Sequence, residues 1–222
     1  SGGAAPSSAA TADFTVPGWE LQVTASGGGY EDSEYTGVTA YNIPLQTFTV
    51  AVISNPGTPP PDDVYTINGS TQAAITMIEG NTYRFDQSDA SNSGHPLTMG
   101  REDGGVLNQD IVTVTNGTPG TAGAFTDVIL RPGTAGETAS YICSTHAGMG
   151  ASVTINTGTA GNYGTGLSLD VTVQGGGFVE VVKSNNQGQN YQVGNTVTCL
   201  DSGLGGQGGS GFVAELVSNT TV

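Results

Sequence analysis

Basic side chains are nearly missing from this sequence. Arg84, Arg101, Arg131 and Lys183 stand against 19 aspartates and glutamates, for a formal net charge of −15. A surface this poor in cations has little with which to replace the counterions of a phosphate backbone, so nucleic acid is not expected as a partner. Long apolar runs are missing too. None approaches the ~18 residues that a membrane-crossing helix needs, and the opening SGGAAPSSAATAD has neither the basic start nor the apolar stretch of a secretory signal. A membrane is therefore not an expected partner either. Histidine and cysteine occur twice each and tryptophan once, as Trp19.

What the chain has in quantity is glycine, 36 of its 222 residues, together with many Thr, Ser, Val and Asn. That composition disfavours helices and suits short strands joined by turns, so the fold class expected is all-β. The acidic balance favours solubility through mutual repulsion and fits an extracellular setting in salty water. Residues 1–16 read as a low-complexity arm that starts without methionine, expected to be a processed or excised end or a mobile tail.

Composition divides the rest into three segments. The PPPDD run at 59–63 stiffens the chain and cannot feed a central strand, and Gly and Thr take over again near 157–166. The segment at 17–58 reads as a small β region, 63–156 as the main domain and 158–222 as a Gly-rich β-meander. Within the main domain, VYTIN (64–68), AAITMIE (73–79), NTYRFDQ (81–87), DIVTV (110–114), FTDVIL (125–130), ETASYIC (137–143) and ASVTI (151–155) are β-rich runs between turn clusters. Short strands at that density indicate an antiparallel β-sandwich. Alternation in ETASYIC sets Ala139, Tyr141 and Cys143 on one face, so the thiol ends a strand just before the loop STHAGMG. In the last segment LSLDVTV, FVEVVKS, NTVTCL and FVAELV alternate between Gly-rich turns, and GGGYEDSEYTGV near the N-terminus weakly echoes GNYGTGLSLDVTV as a partial repeat.

The scarce soft ligands crowd together. Cys143, His146 and Met149 follow one another as Cys-x2-His-x2-Met, and His95 in SGHPL is the remaining histidine. One thiolate, two imidazoles and a weak thioether are the donor set that copper takes in a trigonal plane with an axial sulfur. Other readings stay open for these residues: histidines that only satisfy loop hydrogen bonds, a zinc site, a cysteine nucleophile, or a Cys143–Cys199 disulfide. Cys199, in the alternating NTVTCL, reads most simply as a small buried hydrophobe. Asp86 and Asp89 in FDQSDASNSG could serve a cation or a catalytic pair, but turn hydrogen bonds account for them more cheaply. GGQGGSGFV (205–213) has the glycine content of calcium-binding repeats without their aspartate, and reads as a flexible turn.

With its C-x2-H-x2-M loop and an upstream histidine, the stretch 63–156 resembles a cupredoxin, the blue-copper β-sandwich family, with the short amicyanin-type ligand spacing. The resemblance implies His95, Cys143 and His146 as equatorial copper ligands and Met149 as the axial one. YRFDQSDASNSGHPL, NGTPGTAGAFT and YICSTHAGMG are moreover similar to cupredoxin-like domains in structural proteins of marine, especially cyanobacteria-infecting, tailed phages. GTGLSLDVTVQGGGFVEVV and NYQVGNTVTCLDSGLGGQGGSGFVAEL resemble the Gly-rich β repeats of such virion proteins.

These resemblances imply a non-enzymatic virion structural protein, a decoration, fibre or tail-associated subunit. Its expected partners are copies of itself in a symmetric homo-oligomer, trimers being common, and other virion proteins. Two alternatives carry the same motif: a secreted or periplasmic electron-transfer cupredoxin, and a cell-surface adhesin or appendage module. Over a hundred residues of arm and repeat are uneconomical for the carrier, and no aromatic platform marks a sugar site for the adhesin.

Overall fold

The computed structural model describes residues 18–55, 62–101, 103–158 and 161–220. The low-complexity arm and Pro59, Pro60 and Pro61 lie outside the described residues. Sixteen strands lie among the described ones. From the N-terminus they are β1 (Gly18–Gly28), β2 (Ser33–Asn42), β3 (Gln46–Ser54), β4 (Asp63–Ile67), β5 (Ser70–Thr71), β6 (Ile75–Ile78), β7 (Asn81–Asp86) and β8 (Leu97–Gly100). They continue as β9 (Ile111–Asn116), β10 (Phe125–Leu130), β11 (Ala139–Cys143), β12 (Ala151–Asn156), β13 (Thr165–Gln174), β14 (Phe178–Gln189), β15 (Thr196–Cys199) and β16 (Ser210–Thr220). The protein is all-β with three sheets.

Two compact units share this chain. Pro44–Tyr163 forms one, and the segments on either side of it, up to Ile43 and from Gly164, form the other. In the split unit a single antiparallel sheet runs in the order β1-β16-β15-β2-β13-β14. The two ends of that order approach each other, with Trp19 Nε1 of β1 donating to the Gln187 carbonyl of β14 at 3.0 Å, so the sheet is nearly closed into a barrel. Its interior follows from sequence alternation: Leu167, Leu169, Val171 and Val173 are buried in turn along β13. On β14 the alternation breaks, because a register shift pairs Val181 with Thr172 but Val179 with Val173, and both Val179 and Val182 then face inward.

The inserted unit is built from a six-stranded sheet, β5-β4-β3-β7-β10-β9, and a four-stranded sheet, β6-β12-β11-β8. One core joins them. Phe48 and Phe85 of the larger sheet meet at a ring separation of 5.1 Å, and Tyr141 of the smaller sheet reaches Phe85 at 6.1 Å and Tyr65 at 6.3 Å. Between β7 and β10, Arg84 makes a two-pronged ion pair with Asp127 at 2.8 Å and lies 3.5 Å over the Phe125 ring. Burial pushes the Asp127 carboxyl up despite its partner, so the cost of desolvating the pair offsets part of what the pair contributes to stability.

Three features differ from the sequence reading. β3, assigned by composition to the 17–58 segment, instead pairs with β4 and β7 of the inserted unit. The echoing stretches near the N-terminus and in the last segment are not separate modules, since they supply the adjacent strands β2 and β13 of one sheet. Nor is the inserted unit wholly antiparallel: β3 runs parallel to β7 and β6 parallel to β12. Local alternation records which face a residue takes but not the direction of its neighbour, which depends on crossovers between distant segments.

Among the bonds that hold the loop leading from β10 into β11 are two to one carboxylate. Glu79, just after β6, accepts from the backbone N–H groups of Gly133 at 2.7 Å and Ala135 at 3.1 Å. These bonds, from Ala135 and then Gly133, hold its carboxyl below the usual glutamate value of 4.5. A carboxylate depressed by folding contributes stability above its unfolded pKa and loses it as pH falls through its folded one. Glu79→Gln is therefore expected to be less stable than the parent at pH 7, with the gap narrowing on acidification below about pH 4.5 in urea unfolding series. A gap independent of pH would show that charge on Glu79 is not what holds the loop.

Candidate metal centre

The centre begins with a strand register. β11 pairs antiparallel with β8 so that Cys143 lies opposite Leu97, and the pairing is continued by a bond from Ser144 N–H to the Pro96 carbonyl at 3.0 Å. The Cys143 end of β11 is thereby set beside the chain that carries His95. Alternation along β11 turns Ala139, Tyr141 and Cys143 into the core, as their sequence pattern requires. The donor atoms of His95, Cys143 and His146 all lie within 4.8 Å of one another. Cys143 Sγ is 3.6 Å from His146 Nδ1, and the two imidazole rings are 4.8 Å apart between centroids. Cys143 is buried, His95 half-buried and His146 exposed, so the trio runs from core to surface.

His95 is held by its backbone. Its N–H donates to the Asn92 carbonyl at 2.9 Å, and its own carbonyl accepts from the Tyr65 hydroxyl at 2.8 Å and from Gln87 Nε2 at 2.9 Å. Gln87 is itself buried and locked by Leu97 N–H and the Thr126 hydroxyl on its Oε1. Burial first, and Cys143 second, push the Tyr65 phenol far above its ordinary range, so it keeps the proton it donates. The His95 Nδ1 atom, by contrast, is buried with no hydrogen-bond partner. Leaving a buried nitrogen unpaired costs about 1–3 kcal/mol, which a metal ion at that atom would offset.

The thiol is tuned toward the charged form. Burial pushes Cys143 up, but hydrogen bonds from the Thr145 side chain and backbone, from Tyr65 and from His146 outweigh it and bring the thiol down to about 6. A thiolate is the form that ligates metals. Cys199 shows the opposite case, a thiol in the barrel core that burial alone pushes up to about 12. Both cysteines are free, so the disulfide alternative is not realised.

Met149 closes the loop. It is fully buried in the same core as Cys143, and its carbonyl accepts from Tyr65 N–H at 2.9 Å. The carbonyls on either side, of Gly148 and Gly150, both accept from Gln72 Nε2, at 2.8 and 3.0 Å. Gln72 itself sits at φ 41°, a left-handed conformation that a non-glycine residue rarely takes. Gly148 has φ 76° and makes the turn. A concavity of about 780 Å³ opens beside the loop, lined by Gln72, Arg101, Cys143, Thr145, His146 and Gly148 among others. The Arg101 guanidinium there is taken up by Asp103.

Of the residues singled out by sequence, the structure thus gathers His95, Cys143 and His146 as one donor group and places Met149 in the core beside which Cys143 packs. Asp86 and Asp89 accept from Ser88 and Ser91 N–H groups, each at 2.9 Å, as turn residues do. Sequence reasoning missed Tyr65, Gln72, Gln87 and Thr145. Thr145 and Gln87 lie inside the stretches that carry the resemblance and could have been found there, but Tyr65 and Gln72 reach the site only through contacts between segments distant in sequence.

Gly150 is a tight point. A Cβ there would stand 1.6 Å from the Tyr141 carbonyl oxygen, so β11 and the loop must separate to admit any side chain. Gly150→Ala is expected to destabilise the protein by about 1–3 kcal/mol, read from denaturant midpoints. Unchanged stability would mean that the loop can rearrange freely around the ligand strand.

Comparison of the chain with protein-family models, with curated proteins and with solved structures finds no match in any of the three.

Proposed function

We propose that the unit formed by residues 44–163 is a cupredoxin-type copper-binding module, and that the chain serves as a non-catalytic structural subunit of an extracellular particle, a tailed-phage virion. The observation that carries the copper reading is the convergence of His95, Cys143 and His146 around an unpartnered His95 Nδ1. Ligand bonds of about 2.0–2.3 Å set two donors in a trigonal plane roughly 3.6 Å apart. The Cys143 to His146 separation already has that value. Thiolate with two imidazoles is a set that copper and zinc both accept, and the methionine three residues after His146, buried in the same core as Cys143, favours copper, because zinc binds thioethers poorly. In this reading His95, Cys143 and His146 are the equatorial ligands and Met149 the axial one. When bound, the ion would supply one-electron chemistry and, by binding only the folded state, added stability.

Titrating the purified full chain with Cu(II) under non-reducing conditions is expected to raise an intense visible band from thiolate-to-copper charge transfer, and Cys143→Ser to abolish it. A flat spectrum, or a band that survives the substitution, counts against the site.

The structural-subunit reading rests on the resemblance of three core stretches and two Gly-rich stretches to virion proteins and on the net charge of −15. The exposure of His146 favours a second reading, a carrier that passes electrons through that ring. Sedimentation and electron microscopy separate the two. A structural subunit is expected to remain oligomeric or particle-bound as Cys143→Ser, whereas a strictly monomeric protein that exchanges electrons rapidly with a cytochrome makes the carrier reading the better one.

A further inference from the structure

One hydroxyl joins the two ligand-bearing loops. Thr145 Oγ1 donates to the Gly94 carbonyl at 3.1 Å, next to His95, and lies 3.1 Å from Cys143 Sγ and 3.0 Å from His146 Nδ1. A hydroxyl has one proton and can accept twice. That one oxygen thus stands within hydrogen-bonding distance of the backbone of one loop and of two donor side chains on the other, with a single proton to share among them. Thr145 itself is exposed and contributes little to the core.

We propose that Thr145 is a positioning residue of the metal centre: its hydroxyl fixes Cys143 and His146 against the His95 loop before any ion arrives. The inference rests on the copper reading above. Its physical content is preorganisation. A loop already tied in the ligating arrangement loses less conformational freedom on binding, and partners that orient ligands typically change metal affinity by 10- to 100-fold when removed. The Ser144 N–H bond to Pro96 ties the same loops by backbone alone, so what Thr145 adds is the direction of the two side chains.

The test compares the full chain with Thr145→Val, which keeps the side-chain shape, with Thr145→Ala, which introduces no new methyl contact, and with Thr145→Ser, which restores the hydroxyl. Cu(I) affinity is measured anaerobically by competition with a chromophoric chelator, and thermal unfolding is followed on the metal-free proteins. Thr145→Val and Thr145→Ala are expected to bind Cu(I) at least 10-fold more weakly than the parent, and Thr145→Ser within about threefold of it. Metal-free melting temperatures should agree across the set. Affinity for Thr145→Val and Thr145→Ala within threefold of the parent overturns the inference alone. So does a serine variant as weak as valine, which would make the effect one of packing. A parent chain that takes up no Cu(I) overturns the copper reading and this inference with it.

Discussion

The antiparallel register of β8 and β11 is the constraint on which the His95, Cys143 and His146 cluster depends. Because side chains alternate faces along a strand, a slip of one residue would carry Cys143 out of the core and move Leu97, two residues from His95, away from it. The register is over-determined. Ala139 and Tyr141 must enter the core on the same face as Cys143, Tyr141 closes an aromatic chain to Phe85 and Tyr65, and its hydroxyl donates to the Ala73 carbonyl at 2.9 Å. Beyond the strands, the loop passes so close to β11 at Gly150 that a Cβ there would overlap the Tyr141 carbonyl oxygen. Rigid strands thus hand a short loop to a fixed place, and the loop supplies the chemistry.

Around that loop the polar groups divide their work. Tyr65 and Gln87 bind the carbonyl of His95 and leave its ring nitrogen free, while Gln72 and Tyr65 bind three successive carbonyls around Met149. The backbone carbonyls are satisfied, while Nδ1 of His95 is left without a partner. The left-handed backbone at Gln72 fits this division, because strain of that kind persists where surrounding contacts impose it.

Much of this was legible from local pattern. FTDVIL coincides with β10, ETASYIC ends on the strand that carries the thiol, and the Cys-x2-His spacing sets two of the three clustered donors, Cys143 and His146, in one loop. Long-range order was not legible. The four residues Leu97–Gly100 form a strand too short to show alternation, although they are the partner of β11. The two Gly-rich regions looked like separate modules because their strands alternate separately, and only pairing across about 120 intervening residues joins them. Gln72 could not be singled out at all, since nothing in a lone glutamine after a turn marks the carbonyls it will meet.

The insertion of one unit between β2 and β13 of the other also sets a schedule for synthesis. β1 pairs with β16, and β2 with β13 and β15, so every hydrogen-bonding partner of the first two strands is translated after the insert. At roughly 5–20 residues per second, the ribosome needs about 6–24 s to make those ~120 residues. The inserted unit can fold during that delay while β1 and β2 wait with open edges. Glu20, Glu31, Asp32 and Glu34, in or beside those strands, would keep such edges from pairing with a neighbouring nascent chain.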